Sequence, residues 1–427
     1  MCALKRESLQ DGIYFSSISD KRFKTNRIAM NFIVPLSRET AAQNALLSYL
    51  MRKSTAAYPD FTEFSRYLTG LYGAYADGSV DKMGDSQVVT FSVGALDDRY
   101  TLEGEPLTQL LSQVLCDMVL HPALENGQFP EKEIALEKNA LCDTIRAEIN
   151  DKRAYAVSRA SALMCQGEPF GLSRYGTVEE VMALTGQQLI DAYHHLLETA
   201  RVEVIFAGSG CAETAKQIVA EAFSGQKRSY QPAPQTVPHL PVQQVLEETE
   251  VMDVNQSKMV LGFSSGLGAE SSWIPAFRVM TAVFGGTPMS KLFLNVREKM
   301  SLCYYCAARP DRTKGIVRVD CGVENVNIQK ARAEILNQLE EMKQGNITEE
   351  EISHAVMSLV NSYKTLNDSN VAISGHYLGE ILTNTIRTPE EEAELIRGVT
   401  KEQIVEMANK LHLDICYVLT GKEGSEE

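Results

Sequence analysis

Apolar positions along this chain follow two rhythms. "GEPLTQLLSQVLCDMVL" (104–120) sets Leu, Val, Cys and Met at helical spacing, which predicts a helix with one buried stripe. "RIAMNFIVP" from Arg27, "QVVTFSVGAL" from Gln87, "KMVLGFSSG" from Lys258 and "GIVRVDCGVE" from Gly315 are short apolar runs that predict strands. Strands alternating with helices predict layered α/β or α+β domains. "ALLSYLMRKST" (45–55) has the cadence of an amphipathic helix, yet its centre holds Ala, Ser and Tyr and almost nothing that performs chemistry.

The pattern occurs twice. "LTGQQLIDAYHHLLETARVEVIFAGSG" from Leu184 and "VTKEQIVEMANKLHLDICYVLTGKEG" from Val399 share a Thr cap, a helix, an apolar strand and a closing Gly. Thr185 corresponds to Thr400, 215 residues on; "PEKEI" at Pro130 corresponds to "TEEEI" at Thr348, 218 on; Asp151 corresponds to Asp368, 217 on. Three segments in one order at nearly one offset indicate internal duplication. The seam is expected in "SGQKRSYQPAPQTVPHLPVQQ" (224–244), where four prolines favour extended chain. This divides the chain into a domain at 1–225, a linker at 226–245 and a domain at 246–427.

Composition narrows the classes. Of 427 residues, 44% are hydrophobic and 23% charged, as in ordinary globular domains. The net charge of −15 argues against nucleic acid or an anionic membrane as partner. No apolar run reaches the length of a membrane span, and the N-terminus has no apolar leader. Nine scattered cysteines, an odd number, do not form a disulfide framework, so a reducing cytoplasm is expected.

These residues resemble the M16 metallopeptidases, the inverted-motif zinc proteases, over nearly the whole chain. The resemblance implies an α+β fold: two homologous domains, each an antiparallel-rich sheet flanked by helices, forming one arm of a clam shell. In that family a helix carries H-x-x-E-H. Here "MRKST" and the Tyr58–Pro59 pair set the register, so Ala45 and Tyr49 stand at the two His positions and Ser48 at the general-base Glu. The third ligand, a Glu on a later helix, corresponds to Thr144 in "ALEKNALCDTIRAEI", where Glu137 is retained seven residues earlier. The interval from Tyr49 to Thr144 is longer than the family's, and an insertion near 121–133 accounts for it. Zinc needs donors from His, Cys, Asp or Glu. Ala has none, Tyr and Thr stay protonated at neutral pH, and Ser cannot carry a proton for bound water. No catalytic residue and no metal ligand is therefore expected here, and this chain alone is not expected to be a protease.

The second half reads "FGGTPMSKLFLNVREKMSLCYYC" from Phe284. It resembles the family segment whose Arg and Tyr, seven residues apart, hold the substrate backbone; these correspond to Arg297 and Tyr304. Guanidinium and phenol both donate hydrogen bonds to a carbonyl that becomes an oxyanion. The resemblance implies a zinc-less subunit that supplies this pair to a homologous zinc-bearing H-x-x-E-H subunit, with peptide as substrate and zinc only in the partner. The alternative is a non-enzymatic scaffold or peptide-binding protein, as a homodimer, or an accessory in elongation factor P modification.

Other candidates carry less. "CYYC" (303–306) lies on an expected strand, where residues three apart face opposite sides, so buried apolar cysteines are expected. His194 and His195 point about 100° apart on a helix. His121, His239, His354, His376 and His412 form no cluster in sequence, so no relocated metal site is visible. "TPEEEAE" (388–394) reads as a solvated helix start.

Overall fold

The computed structural model describes residues 3–232 and 235–421. Its strands are β1 (Leu4–Gln10), β2 (Ile13–Ser19), β3 (Thr25–Pro35), β4 (Tyr75–Met83), β5 (Ser86–Leu96), β6 (Arg201–Gly208), β7 (Leu246–Val251), β8 (Ser257–Ser264), β9 (Cys303–Asp311), β10 (Ile316–Val323) and β11 (His412–Thr420). One sheet runs β1-β2-β6-β3-β5-β4 and the other β7-β11-β8-β10-β9. The fold is α+β, with two sheets of one design. β2 pairs parallel with β6, as β7 does with β11, and every other pairing is antiparallel. β4 and β9 occupy equivalent edges, and β1 is an extra strand of the first sheet.

Local chemistry repeats with the topology. Thr185 caps the helix Gly186–Thr199 and Thr400 caps Lys401–Asn409, each completing a capping box with Gln188 or Gln403. Each box satisfies backbone donors at a helix start that would otherwise lack partners. The central strand β3 is buried along most of its length because helices cover both of its faces. Met30 and Phe32 face one cluster, with Leu46, Leu47 and Leu115; Ile33 faces the other. Among the described residues no helix is long and apolar enough to cross a membrane.

The two compact units are not the two linear halves. The first takes the chain up to Arg146, then Leu172–Gln235 and Leu366–Leu382; the second takes Ala147–Gly171, Thr236–Thr365 and the chain from Thr383. In the first unit, Ile373, Tyr377 and Leu378 of the helix Asn370–Leu382 pack on Ile18, Ile33, Val88 and Ile205. In the second, Ala156, Ala160 and Met164 of the helix Lys152–Met164 pack on Val260, Ile316, Ile415 and Tyr417. These are the two helices that follow Asp151 and Asp368. Each copy of the duplicated helix thus covers the sheet of the opposite copy.

The proline-rich segment is not free chain over its described residues. The Ser229 and Gln231 amides donate to the carbonyls of Glu198 and Thr199 within the first unit, and the His239 amide donates to the Lys314 carbonyl within the second. Nor is "TPEEEAE" wholly solvated. Glu392 is buried, accepts from the Tyr363 hydroxyl at 2.7 Å, and pairs with Arg387 at 3.1 Å. A carboxylate placed there satisfies an internal network and does more than favour the helix N-terminus.

Candidate functional site

The helix Arg38–Leu50 carries Ala45, Ser48 and Tyr49, the positions expected to correspond to the zinc motif. It is buried around most of its circumference, with Ala41, Ala42, Asn44, Ala45, Leu46, Leu47, Ser48 and Leu50 inside. The amphipathic stripe expected from sequence is absent because helices and strands pack on several sides of it. Ala45 and Ser48 are fully buried, and the Ser48 hydroxyl donates to the Ala45 carbonyl at 2.7 Å. Close approach of strand β4 is possible only because Gly78 has no side chain: a Cβ there would lie 2.2 Å from the Ser48 carbonyl oxygen.

Tyr49 and Thr144, 95 residues apart, meet. Their hydroxyl oxygens lie 3.1 Å apart, and Thr144 also donates to the Ala140 carbonyl at 3.0 Å. With that proton committed, Tyr49 is the donor between the two. The positions expected for the second His and the third ligand are thus neighbours, and they hold a hydroxyl pair. Asp143, the adjacent carboxylate, points to solvent.

Two cations complete the arrangement. The Lys53 ammonium pairs with the buried Glu137 carboxylate. The Arg52 guanidinium lies 4.3 Å from the Tyr49 ring centroid. The residues present do not fit a catalytic zinc ion. Ala45 offers no donor, the hydroxyls satisfy each other, and the retained Glu137 carboxylate is already paired with Lys53. Sequence reading missed Lys53 as a participant, although it lies within the "MRKST" that set the register. Lys53→Met is expected to cost ~2 kcal/mol, because it strands a buried carboxylate. Urea unfolding measures this, and Lys53→Met/Glu137→Leu is expected to recover most of the loss.

In the second unit, Arg297 and Tyr304 line one open pocket of ≈ 420 Å³ together with Glu298, Ser301, Glu324 and Asn327. Arg297 sits in a π-helical segment, Leu292–Lys299, and Ser301 takes φ +50° in the turn that follows. Such backbone is uncommon and recurs at functional sites. Arg297 stacks on Phe293 at 4.6 Å and lies 3.6 Å from Glu298. Tyr304 is 64% exposed, its hydroxyl 3.5 Å from Glu324.

A bulge aims Tyr304. On β9, Cys306 pairs with Cys321 and Tyr305 with Gly322, but Val323 pairs with Cys303, so the register slips across Tyr304. Two residues oppose one, the alternation of faces breaks, and Tyr304 turns outward. Cys303 and Cys306 are both buried, as expected, but with the slip between them their thiols interact instead of facing opposite sides. Hydrogen bonding to Cys306, with a smaller effect of the Arg297 charge, holds the Cys303 thiol below its ordinary value.

Comparisons with known proteins agree with this geometry. Residues 183–359 match the family model described as "Peptidase M16 inactive domain". The chain is 28% identical over 422 residues, 98% of both chains, to "Probable inactive metalloprotease YmfF" of Bacillus subtilis (strain 168). It is 24% identical over 301 residues to "Uncharacterized zinc protease YmxG" of the same organism, covering 70% of this chain and 71% of that one. The crystal structure of a conserved protein from Enterococcus faecalis V583 matches with a TM-score of 0.90 over 99% of this chain and 100% of its own, at 27% identity.

Proposed function

We propose that this chain, an inactive protein of the M16 peptidase family, is the zinc-less subunit of a two-chain peptidase and holds the peptide backbone for a homologous zinc-bearing subunit. The observation that carries this reading is an asymmetry. The positions expected to correspond to the zinc ligands include a satisfied hydroxyl pair, with two cations beside it. Arg297 and Tyr304 instead share a solvent-open pocket, with donors that no buried partner consumes. A packing role would bury such groups; a role toward an external carbonyl leaves them available.

Two further features support the reading. β4 is a sheet edge, and an extended peptide can add to such an edge through its backbone. Bacillus subtilis (strain 168) contains relatives of both kinds, one described as inactive and one as a zinc protease. The proposed substrate is a peptide, the zinc belongs to the partner, and the proposed compartment is the cytoplasm.

The test is reconstitution. The purified chain, a zinc-bearing homologue and their equimolar mixture are assayed on an unstructured peptide, with the stoichiometry read by analytical ultracentrifugation. The mixture is expected to form a hetero-oligomer and to cleave well above the homologue alone. Equal rates, with this chain remaining by itself or with its own copies, would overturn the proposal in favour of a peptide-binding scaffold.

A further inference from the structure

A second group of chemistry-bearing side chains converges inside the second unit, away from the Arg297 pocket. Cys165 ends the helix Lys152–Met164, and Glu168 follows it across a tight turn. Gly167 takes φ +88° there, and the Glu168 amide returns to the Cys165 carbonyl at 3.0 Å. The third member, His239, arrives from the proline-rich segment. A ligand-capable atom from each of Cys165, Glu168 and His239 lies within 4.8 Å of the other two. Asp414 stands behind the imidazole, its Oδ2 3.3 Å from Nε2.

Burial makes this group unusual. Cys165 is fully buried, Asp414 is 2% exposed and His239 5%. Despite their separation, His239 Nε2 and Asp414 Oδ2 make no aligned hydrogen bond and have no other partner. Two buried polar atoms left in this way cost stability unless something else orients them. The other ring nitrogen, Nδ1, faces Glu168 Oε1 at 2.5 Å.

We propose that Cys165, Glu168 and His239 bind a borderline-soft divalent cation, zinc foremost, through Sγ, a carboxylate oxygen and Nδ1, with Asp414 orienting the imidazole from behind. Thiolate, imidazole and carboxylate together suit zinc. A carboxylate on the far nitrogen is the usual support of a ligating His. The three-residue step from Cys165 to Glu168 across a glycine turn lets neighbouring residues chelate one ion. Two ligands ~2.0–2.1 Å from a tetrahedral ion stand roughly 3.3 Å apart. Glu168 therefore needs to move less than ~1 Å from Nδ1. Its side chain is the one partly exposed member of the three.

The nearby Lys314 ammonium, 2.6 Å from Glu168 Oε2, does not oppose the ion once charge is counted. Counted by residue type, the Glu168 and Asp414 carboxylates and a ligating Cys165 thiolate bring three negative charges, and Lys314 with a divalent cation brings three positive ones. The buried group with its ion is therefore neutral overall. Such a site would fasten the segment entering the second unit to the helix that the duplication exchanged. It is independent of the peptidase reading.

The test uses the full chain stripped with chelator. Titration with Co²⁺ is expected to saturate at one ion per chain with a thiolate-to-cobalt charge-transfer band, and added Zn²⁺ to displace it and raise Tm. Cys165→Ser is expected to abolish the band, while Cys211→Ser, which removes an exposed thiol, leaves it. Glu168→Gln, at the rim, is expected to retain the fold and bind Zn²⁺ ~10–100-fold more weakly. No saturable uptake, or a band unchanged in Cys165→Ser, would show a proton-filled ion network and overturn the site.

Discussion

Arg297→Ala is expected to lower kcat/KM of the reconstituted two-chain peptidase by ~100-fold, the scale seen when one preorganised oxyanion donor is removed. The side chain is 40% exposed and its partners are a neighbouring Glu298 and the Phe293 ring. Its loss should therefore change folding stability by no more than about 0.5 kcal/mol. That separation makes the result interpretable: activity falls while Tm stays. Arg297→Lys keeps the charge but loses the planar fork, and should recover only part of the rate. Tyr304→Phe keeps the ring, removes one hydroxyl, and should fall between Arg297→Ala and wild type. The idea sinks if Arg297→Ala supports the same rate as the unaltered chain.

Tyr377→Ala is expected to be the most damaging single truncation for the first unit, at ~3–5 kcal/mol. Tyr377 is 1% exposed and belongs to the cluster that covers β3, β5 and β6, although it lies in the second half of the sequence. The location of the effect is more informative than its size. Hydrogen exchange should rise in β3 and β6, while β8 and β11, covered by the helix Lys152–Met164, stay protected. Faster exchange confined to β8 and β11 would contradict the exchanged packing. Chemical denaturation of the same variant gives the free energy. Two separate transitions there would show that the units unfold independently.

Much of the fold was legible because its signals are local. Thr185 and Thr400 announced their capping boxes by residue type and spacing. The runs at Arg27 and Lys258 became central strands because short, doubly covered strands are apolar throughout. The weaker strands were not announced: β1 has only exposed and half-buried positions and β4 lies at an edge, so neither carries a strong apolar run. The expected correspondence of Thr144 to a ligand position had no local signal behind it, because the interval from Tyr49 is long; the structure adds that the two hydroxyls meet.

What the sequence by itself determined is chemical. Which residues offer a usual zinc ligand is a property of residue type, so that Ala45, Ser48, Tyr49 and Thr144 supply none could be read without the backbone. Duplication, too, is written in order and spacing. The tertiary structure alone decided the remainder. It sent each duplicated helix to the opposite sheet, turned Tyr304 outward through a one-residue slip, gave Glu137 to Lys53, and brought His239 to Cys165 and Glu168. These outcomes depend on contacts between residues tens to hundreds of positions apart. Such contacts are set by which surfaces the whole chain can bury together, and no local pattern records them.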